Sequence, residues 1–201
     1  MRILLDAHVH TNSSPDSSIT PKQLLERMKL RGMNAVAITD HDTLEGYRRV
    51  MDTRGFSEYI VIPGIEVSTT IGDLIVLGIQ EAFNTTDAFE VAQMARELGG
   101  VLVAPHPFDW RRASLGERSA LLGVDLIECA NGKCGNKENQ QAKEFAKAVG
   151  IPVIGGSDAH EKQQIGSVLN VIDCDWEIDS LLAALRRGAK TILRLGEGGR
   201  V

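Results

Sequence analysis

The sequence predicts an α/β fold, a distorted TIM-like (β/α)7 barrel that carries a β-hairpin after its third strand. Two patterns predict it. Apolar runs of strand length alternate with helical stretches along most of the chain, the pattern of parallel βα units. All five histidines fall in four short segments, 6–10, 39–43, 104–107 and 157–160, and each segment directly follows one of those apolar runs. Polar side chains at the carboxyl ends of successive strands are what an α/β barrel presents at its mouth. At 201 residues the chain is shorter than the ~250 of a complete eight-stranded barrel, and about six or seven parallel strands can be drawn, hence the shortened form.

The first strand is expected at 2–7 around Ile3 to Leu5, followed by a helix over 21–31 that starts at Thr20-Pro21 and stops at Gly32. Ala35 to Ile38 gives a strand at 35–39, and the turn after it leads into a helix at 43–53. A third strand spans 59–66; Gly72-Asp73, between Ser68 to Ile71 and Leu74 to Leu77, marks a hairpin turn that extends it. A helix at 87–98 ends at Gly99-Gly100 before a strand at 101–105, and a shorter helix near 115–121 precedes a strand at 124–129. The helix at 136–149 ends at Gly150, strands follow at 152–156 and 168–173, and a last helix covers 178–187, with Asn136 and Asp179 as helix starts. One domain over 1–195 accounts for the length, with 196–201 as a loose glycine-rich tail.

A formal charge of −5 and 43% hydrophobic content describe an ordinary globular protein and argue against an extended nucleic-acid surface. No run approaches the ~20 apolar residues of a membrane span, and no secretion signal is evident, so a membrane is not expected. The three cysteines form neither a CxxC pair nor an even set, which fits a reducing cytoplasm.

Chemistry concentrates in the histidine segments. Residues two apart on a strand share a face, so Asp6, His8 and His10 would line one side, with Asp6 free to fix a ring tautomer. His-x-His can bind one ion or two adjacent ones; alternatively it is a polar strand end. His41 between Asp40 and Asp42 reads as a ligand, and the two acids as orienting, capping or proton-transfer groups. Glu66 closes an apolar run and needs a partner, either two cations that it bridges or an arginine. His106, fixed between Pro105 and Pro107, is either an aimed ligand or a turn histidine. Gly155-Gly156 lets the backbone pass tightly before Asp158 and His160 project from the next turn. Arg111, Arg112 and Lys133 stand near these turns as phosphate-binding candidates, or as solvated surface charges.

Taken together, residues 6–11, 39–43, 64–66, His106-Pro107 and 156–160 resemble the PHP (polymerase and histidinol phosphatase) family of metal-dependent phosphoesterases, over Arg2 to about Asp173. The resemblance implies a distorted seven-stranded barrel with a dinuclear or trinuclear site. It assigns His8, His10, Glu66 and Asp158 to a first ion and Asp16, His41 and His160 to a second. A third would have Glu66 and His106, because Ile75 stands where the family carries a hairpin histidine. Mixed imidazole and carboxylate ligation suits Mn²⁺, Zn²⁺ or Fe²⁺. The expected activity is hydrolysis of a small phosphorylated substrate, with Asp40, Asp42 and Asp158 as catalytic carboxylates. Three alternatives remain: a nuclease or oligonucleotide phosphodiesterase, an amidohydrolase, and a metal-holding barrel without activity. The amidohydrolase lacks its lysine after the fourth strand here.

Overall fold

The computed structural model describes residues 1–196; the expectation of a loose tail therefore falls, beyond Gly196, outside the described residues. Nine strands form one strongly curved sheet in the order β7-β6-β5-β4-β3-β2-β1-β8-β9. They are β1 (Arg2–Val9), β2 (Ala35–Ile38), β3 (Ile60–Thr69), β4 (Gly72–Leu77), β5 (Val101–Ala104), β6 (Leu126–Asn131), β7 (Val153–Gly156), β8 (Val168–Asp173) and β9 (Thr191–Arg194). The helices are α1 (Pro21–Arg31), α2 (Glu45–Met51), α3 (Ala88–Glu97), α4 (Arg118–Leu122), α5 (Asn136–Val149) and α6 (Ile178–Leu185). The sheet nearly closes, because the residues after β7 reach β1: Asp158 N donates to His8 O at 2.8 Å and His10 N to Ala159 O at 3.0 Å.

Alternation divides each strand between two cores. Ile3, Leu5, Ala35, Ala37, Ile62, Leu77, Val103, Leu126 and Ile154 fill the barrel interior, and Leu181 and Leu185 of α6 cover its lower end. Val36, Ile38 and Val61 face outward onto Leu24 and Met28 of α1, while Val76, Leu102 and Ile127 meet α3 and α5. Burial on both faces explains why these strands read as continuous apolar runs.

Most elements lie where the sequence puts them, α1 and α5 to the residue. Four details differ. The hairpin turns at Thr70-Ile71, and Gly72 already pairs with Thr69; β4 then lies inside the sheet, antiparallel to both β3 and β5. The strand at 168–173 runs antiparallel to β1, and an unexpected short strand, β9, pairs with its outer edge. Helix α2 starts after Leu44 with no side-chain cap, because Asp42, at a φ of 53°, turns its carboxylate to accept Ser68 N at 2.9 Å. Gly135 and Glu177, not Asn136 and Asp179, occupy the N-cap positions of α5 and α6. No helix among the described residues is long and apolar enough to cross a membrane.

Candidate metal centre

Strand β1 builds the floor of the site by changing phase. Asp6 pairs with Val36 and Val9 with Ile38, so three residues on β1 oppose two on β2, a bulge that holds one extra residue. Before the bulge, Ile3, Leu5 and Ala7 face the interior. After it Val9 packs outward, and His8 and His10 point in at 1% and 0% exposure. Asp6 consequently lies on the opposite face, where it accepts Ser157 N and Gly166 N at 2.9 Å each. It does not orient the imidazoles as the sequence suggested.

That task falls to Glu128, a lone acid inside an apolar run that no local motif marks in the sequence. It follows Leu126 by two residues on β6 and so shares its inward face. Its Oε1 lies 3.1 Å from His8 Nδ1; its Oε2 accepts His106 N at 2.8 Å and Asn131 Nδ2 at 2.9 Å. Asn131 Nδ2 also donates to Asp158 Oδ2 at 3.0 Å, so one buried carboxylate and one amide tie three ligand-type residues together. Gly156 is needed here: a Cβ on it would stand 2.3 Å from His8 Cβ and 2.5 Å from Glu128 Oε1. His10 has a parallel arrangement. Its Nδ1 is 3.2 Å from Ser14 Oγ, which donates to Asp40 Oδ1 at 2.6 Å. With Nδ1 protonated on both rings, each Nε2 is left with a lone pair aimed inward.

Glu66 sits at the centre. Its Oε2 is 3.3 Å from His8 Nε2, 3.0 Å from His10 Nε2 and 3.4 Å from His41 Nδ1, and its Oε1 is 3.1 Å from His106 Nε2. Asp158 Oδ1 closes the inner cluster at 3.7 Å from both His8 Nε2 and His10 Nε2. An outer cluster forms where Asp16 Oδ2 lies 3.0 Å from His160 Nε2 and 3.6 Å from His41 Nε2. Ligand-type atoms lie within 4.8 Å of one another in three groups: His8, His10 and Glu66; His10, His41 and His160; and Glu66, Asp73 and His106.

The last group brings a carboxylate, Asp73, beside Glu66 and His106, the two residues the sequence offers for a third ion. Ile75 is core, 1% exposed and opposite Glu66 in register. Two residues earlier on the same face, Asp73 reaches the cavity. The sequence reading placed Asp73 in the hairpin turn; because the chain turns at Thr70-Ile71, Asp73 enters β4 instead. Burial and the Glu66 charge push its carboxyl up to about 6.

Burial, the largest single influence, would raise the carboxyl pKa of Glu66 and Asp158, but the neighbours together outweigh it, His8, His10 and His106 for Glu66 and His8, Arg112 and His10 for Asp158, so both are held low. Burial likewise disfavours a charged His8, yet Asp158, Glu128 and Glu66 hold its pKa well above the ordinary value. His160 goes the other way, pushed down to about 4 by burial and by His10. His41 Nδ1 is buried with no hydrogen-bond partner. Imidazole nitrogens and carboxylate oxygens converging in this way, with one buried nitrogen unmatched, fit divalent cations. Among the described residues, the non-glycine residues at positive φ are Asp42, His106 and Asp158, all at these turns, so the backbone is strained where the ligands are presented.

The clusters floor a cavity of about 250 Å³ lined by Asp16, His41, Glu66, Asp73, His106, Arg112, Lys133, Asp158 and His160. Five expected residues are not among them: His8 and His10 lie beneath the floor, in contact with Glu66, and Asp40, Asp42 and Arg111 are engaged elsewhere. Asp40 is enclosed, its oxygens accepting from the backbone and hydroxyls of Thr11 and Ser14. Asp42 holds Ser68 N, and Arg111 forms a two-pronged pair with Asp109 at 2.8 Å on each prong. Arg112, one residue on, turns inward to ion-pair with Asp158, and Lys133 Nζ lies 2.8 Å from His160 Nδ1.

A barrel whose strand ends gather imidazoles and carboxylates around one small cavity defines a class, the metal-dependent hydrolases built at a barrel mouth. The chain belongs to the PHP family: the PHP domain profile matches residues 6–107 and the PHP-associated profile residues 136–189. An uncharacterised protein of Methanocaldococcus jannaschii is 33% identical over 172 residues, 81% of this chain and 68% of that protein. A protein of Bifidobacterium adolescentis, assigned as a metal-dependent phosphoesterase, has a similar fold with a TM-score of 0.66 at 17% identity, over 92% of this chain and 96% of that one. A lesion-specific endonuclease of Pyrococcus furiosus gives 0.73 at 18% identity, covering 98% of this chain but 60% of the endonuclease. Members of the family are metal-dependent hydrolases of the phosphoesterase type.

Proposed function

We propose that this protein hydrolyses a small phosphomonoester with the aid of two or three divalent ions, Mn²⁺, Zn²⁺ or Fe²⁺. The observation that carries this reading is Glu66, one carboxylate within 3.4 Å of imidazole nitrogens from His8, His10, His41 and His106. In the proposal, His8, His10, Glu66 and Asp158 hold one ion, Asp16, His41 and His160 a second, and Glu66, Asp73 and His106 a third. Ions held by these residues would acidify a water and neutralise phosphoryl oxygens during in-line attack.

The chain's own residues do the rest. Arg112 and Lys133 are the cations that line the cavity, and they take the phosphoryl oxygens the ions leave free. Asp158 holds Arg112 in place while it faces the inner imidazoles. Neither Asp40 nor Asp42 lines the cavity; Lys133, its ammonium pKa pushed down by burial, does, and it or an ion-bound water would supply the leaving oxygen's proton. Arg111, bound to Asp109, steadies the turn rather than the substrate.

Phosphate release from a panel of phosphomonoesters by metal-loaded protein tests the reading. Turnover of monoesters, with none of phosphodiesters, amides or lactones, is expected. Cleavage of oligonucleotides alone would overturn it in favour of the nuclease reading, which the fold shared with the endonuclease supports and the −5 charge opposes. Amide or lactone turnover alone would do so in favour of an amidohydrolase.

A further inference from the structure

We infer that Trp110 is the specificity-determining residue of this site, a stacking platform for a planar ring in the leaving group of the substrate. The inference rests on the phosphoester reading above and names the substrate class within it. Every side chain that lines the cavity is ionisable. A cavity of about 250 Å³ with such walls accommodates the phosphoryl group and offers no aliphatic or aromatic side chain to the remainder of the molecule, which would extend toward the rim. Trp110 is 82% exposed, more than any other large apolar side chain among the described residues.

A single exposed apolar residue is ordinary on a protein surface. Trp110 differs in how it is held and where. It occupies the turn from Asp109 to Arg112, closed by Arg112 N donating to Asp109 O at 3.2 Å. Asp109 is fully buried and accepts from Arg111 Nε and Nη2 at 2.8 Å each; Ser114 Oγ donates to its carbonyl at 2.9 Å. Arg111 Nη2 also reaches Lys133 O at 3.2 Å, so the turn is fastened to the loop that delivers Lys133. The residue that ends the turn is Arg112, whose guanidinium lines the cavity. A turn backbone fixed at both ends keeps the Cα of Trp110 in place when a ligand binds, and a single residue separates it from the cavity-lining guanidinium of Arg112. A flat ring stacks on the indole with an energy that depends on the π-face and not on a hydrogen-bond pattern, a factor of about ten or more in affinity.

Adenosine 5′-monophosphate and ribose 5-phosphate share the phosphate and the ester bond and differ in the ring. Metal-loaded wild type is expected to favour the nucleotide by about tenfold in kcat/KM, carried by KM. Trp110→Ala brings that ratio to about one, and Trp110→Phe retains most of it. A ratio unchanged in Trp110→Ala overturns the inference. Fluorescence supplies a readout without turnover: in a Trp176→Phe background Trp110 is the remaining tryptophan. A non-hydrolysable phosphonate analogue of the nucleotide quenches its emission saturably, and the ribose phosphonate does not. Equal quenching by both, or by neither, overturns the inference. If no phosphoester is hydrolysed, the phosphoester reading fails, and the quenching experiment still decides whether Trp110 receives a ring.

Discussion

The inner and outer clusters of the centre use the same donor chemistry in opposite settings. His8, His10, Glu66 and Asp158 are at most 1% exposed, and each is held from behind or by its backbone turn. In the outer cluster, the side chains of Asp16 and His41 are 54% and 27% exposed, and Asp16 comes from a surface turn between Ser14 and Ser17. A buried, pre-positioned ligand set spends no ordering entropy when an ion arrives, whereas an exposed one does. The inner ions should therefore be resident and the outer ion exchangeable.

The largest effect tests whether the two clusters are joined at all. Glu66→Gln removes the charge at the centre of the inner cluster, which also lies 3.4 Å from His41 of the outer one, and should lower activity by about a thousandfold or more, the scale of losing a preorganised charge-stabilising group. Elemental analysis should show ion loss from both clusters; loss from one alone would break the comparison. Glu128→Gln tests the support behind the inner cluster. Disturbing a partner behind a ligand typically costs 10–100-fold in metal affinity, and titration calorimetry should find that loss on the inner ions with the outer ion unaltered. Asp16→Asn is the converse: ion content after dialysis falls by one, and the inner ions remain. Asp73→Ala separates the third group from the other two, and a stoichiometry unchanged by it would show that Asp73 holds no ion.

The smallest effect lies outside both clusters, in the turn that carries Arg112. The Arg111 side chain holds the Asp109 carboxyl down at about 2. Because its folded pKa lies below the unfolded value near 3.8, this pair stabilises the fold above that pH, and the contribution fades as pH falls toward 2. Asp109→Asn should reduce stability at neutral pH, and denaturant titrations should show wild type and variant converging under acid. A difference that persists at pH 2 would assign the loss to packing instead.

The sequence is most legible where chemistry interrupts an apolar run. His8, His10, His41, His106, His160, Glu66 and Asp158 contrast with the strands before them, and the structure gathers all seven. Asp16 carries no such contrast; only the family resemblance points to it, and it lies beside His41 and His160. What stayed hidden depends on register. Asp73 is a ligand-type residue only because the hairpin turns two residues earlier than Gly72-Asp73 suggests. Glu128 is a single acid inside a strand, and only the pairing of β6 shows that it meets His8 and His106. Arg111 and Arg112 are chemically identical neighbours, and the turn geometry keeps the first on Asp109 while the second, still 3.4 Å from Asp109, reaches on to Asp158.

The extra residue in β1 has a consequence for how such a centre can change over time. Strand β1 serves as core up to Ala7 and as site from His8 onward, and the bulge is the joint between those two assignments. Substitutions on one side of the joint leave the periodicity of the other intact, so barrel packing and ion chemistry can be altered independently within a single strand. Deleting one residue at the joint would shift the downstream alternation by one, turning both imidazoles toward the helices and Val9 toward the ions. The centre can thus be erased by length alone, with every ligand still present in the chain.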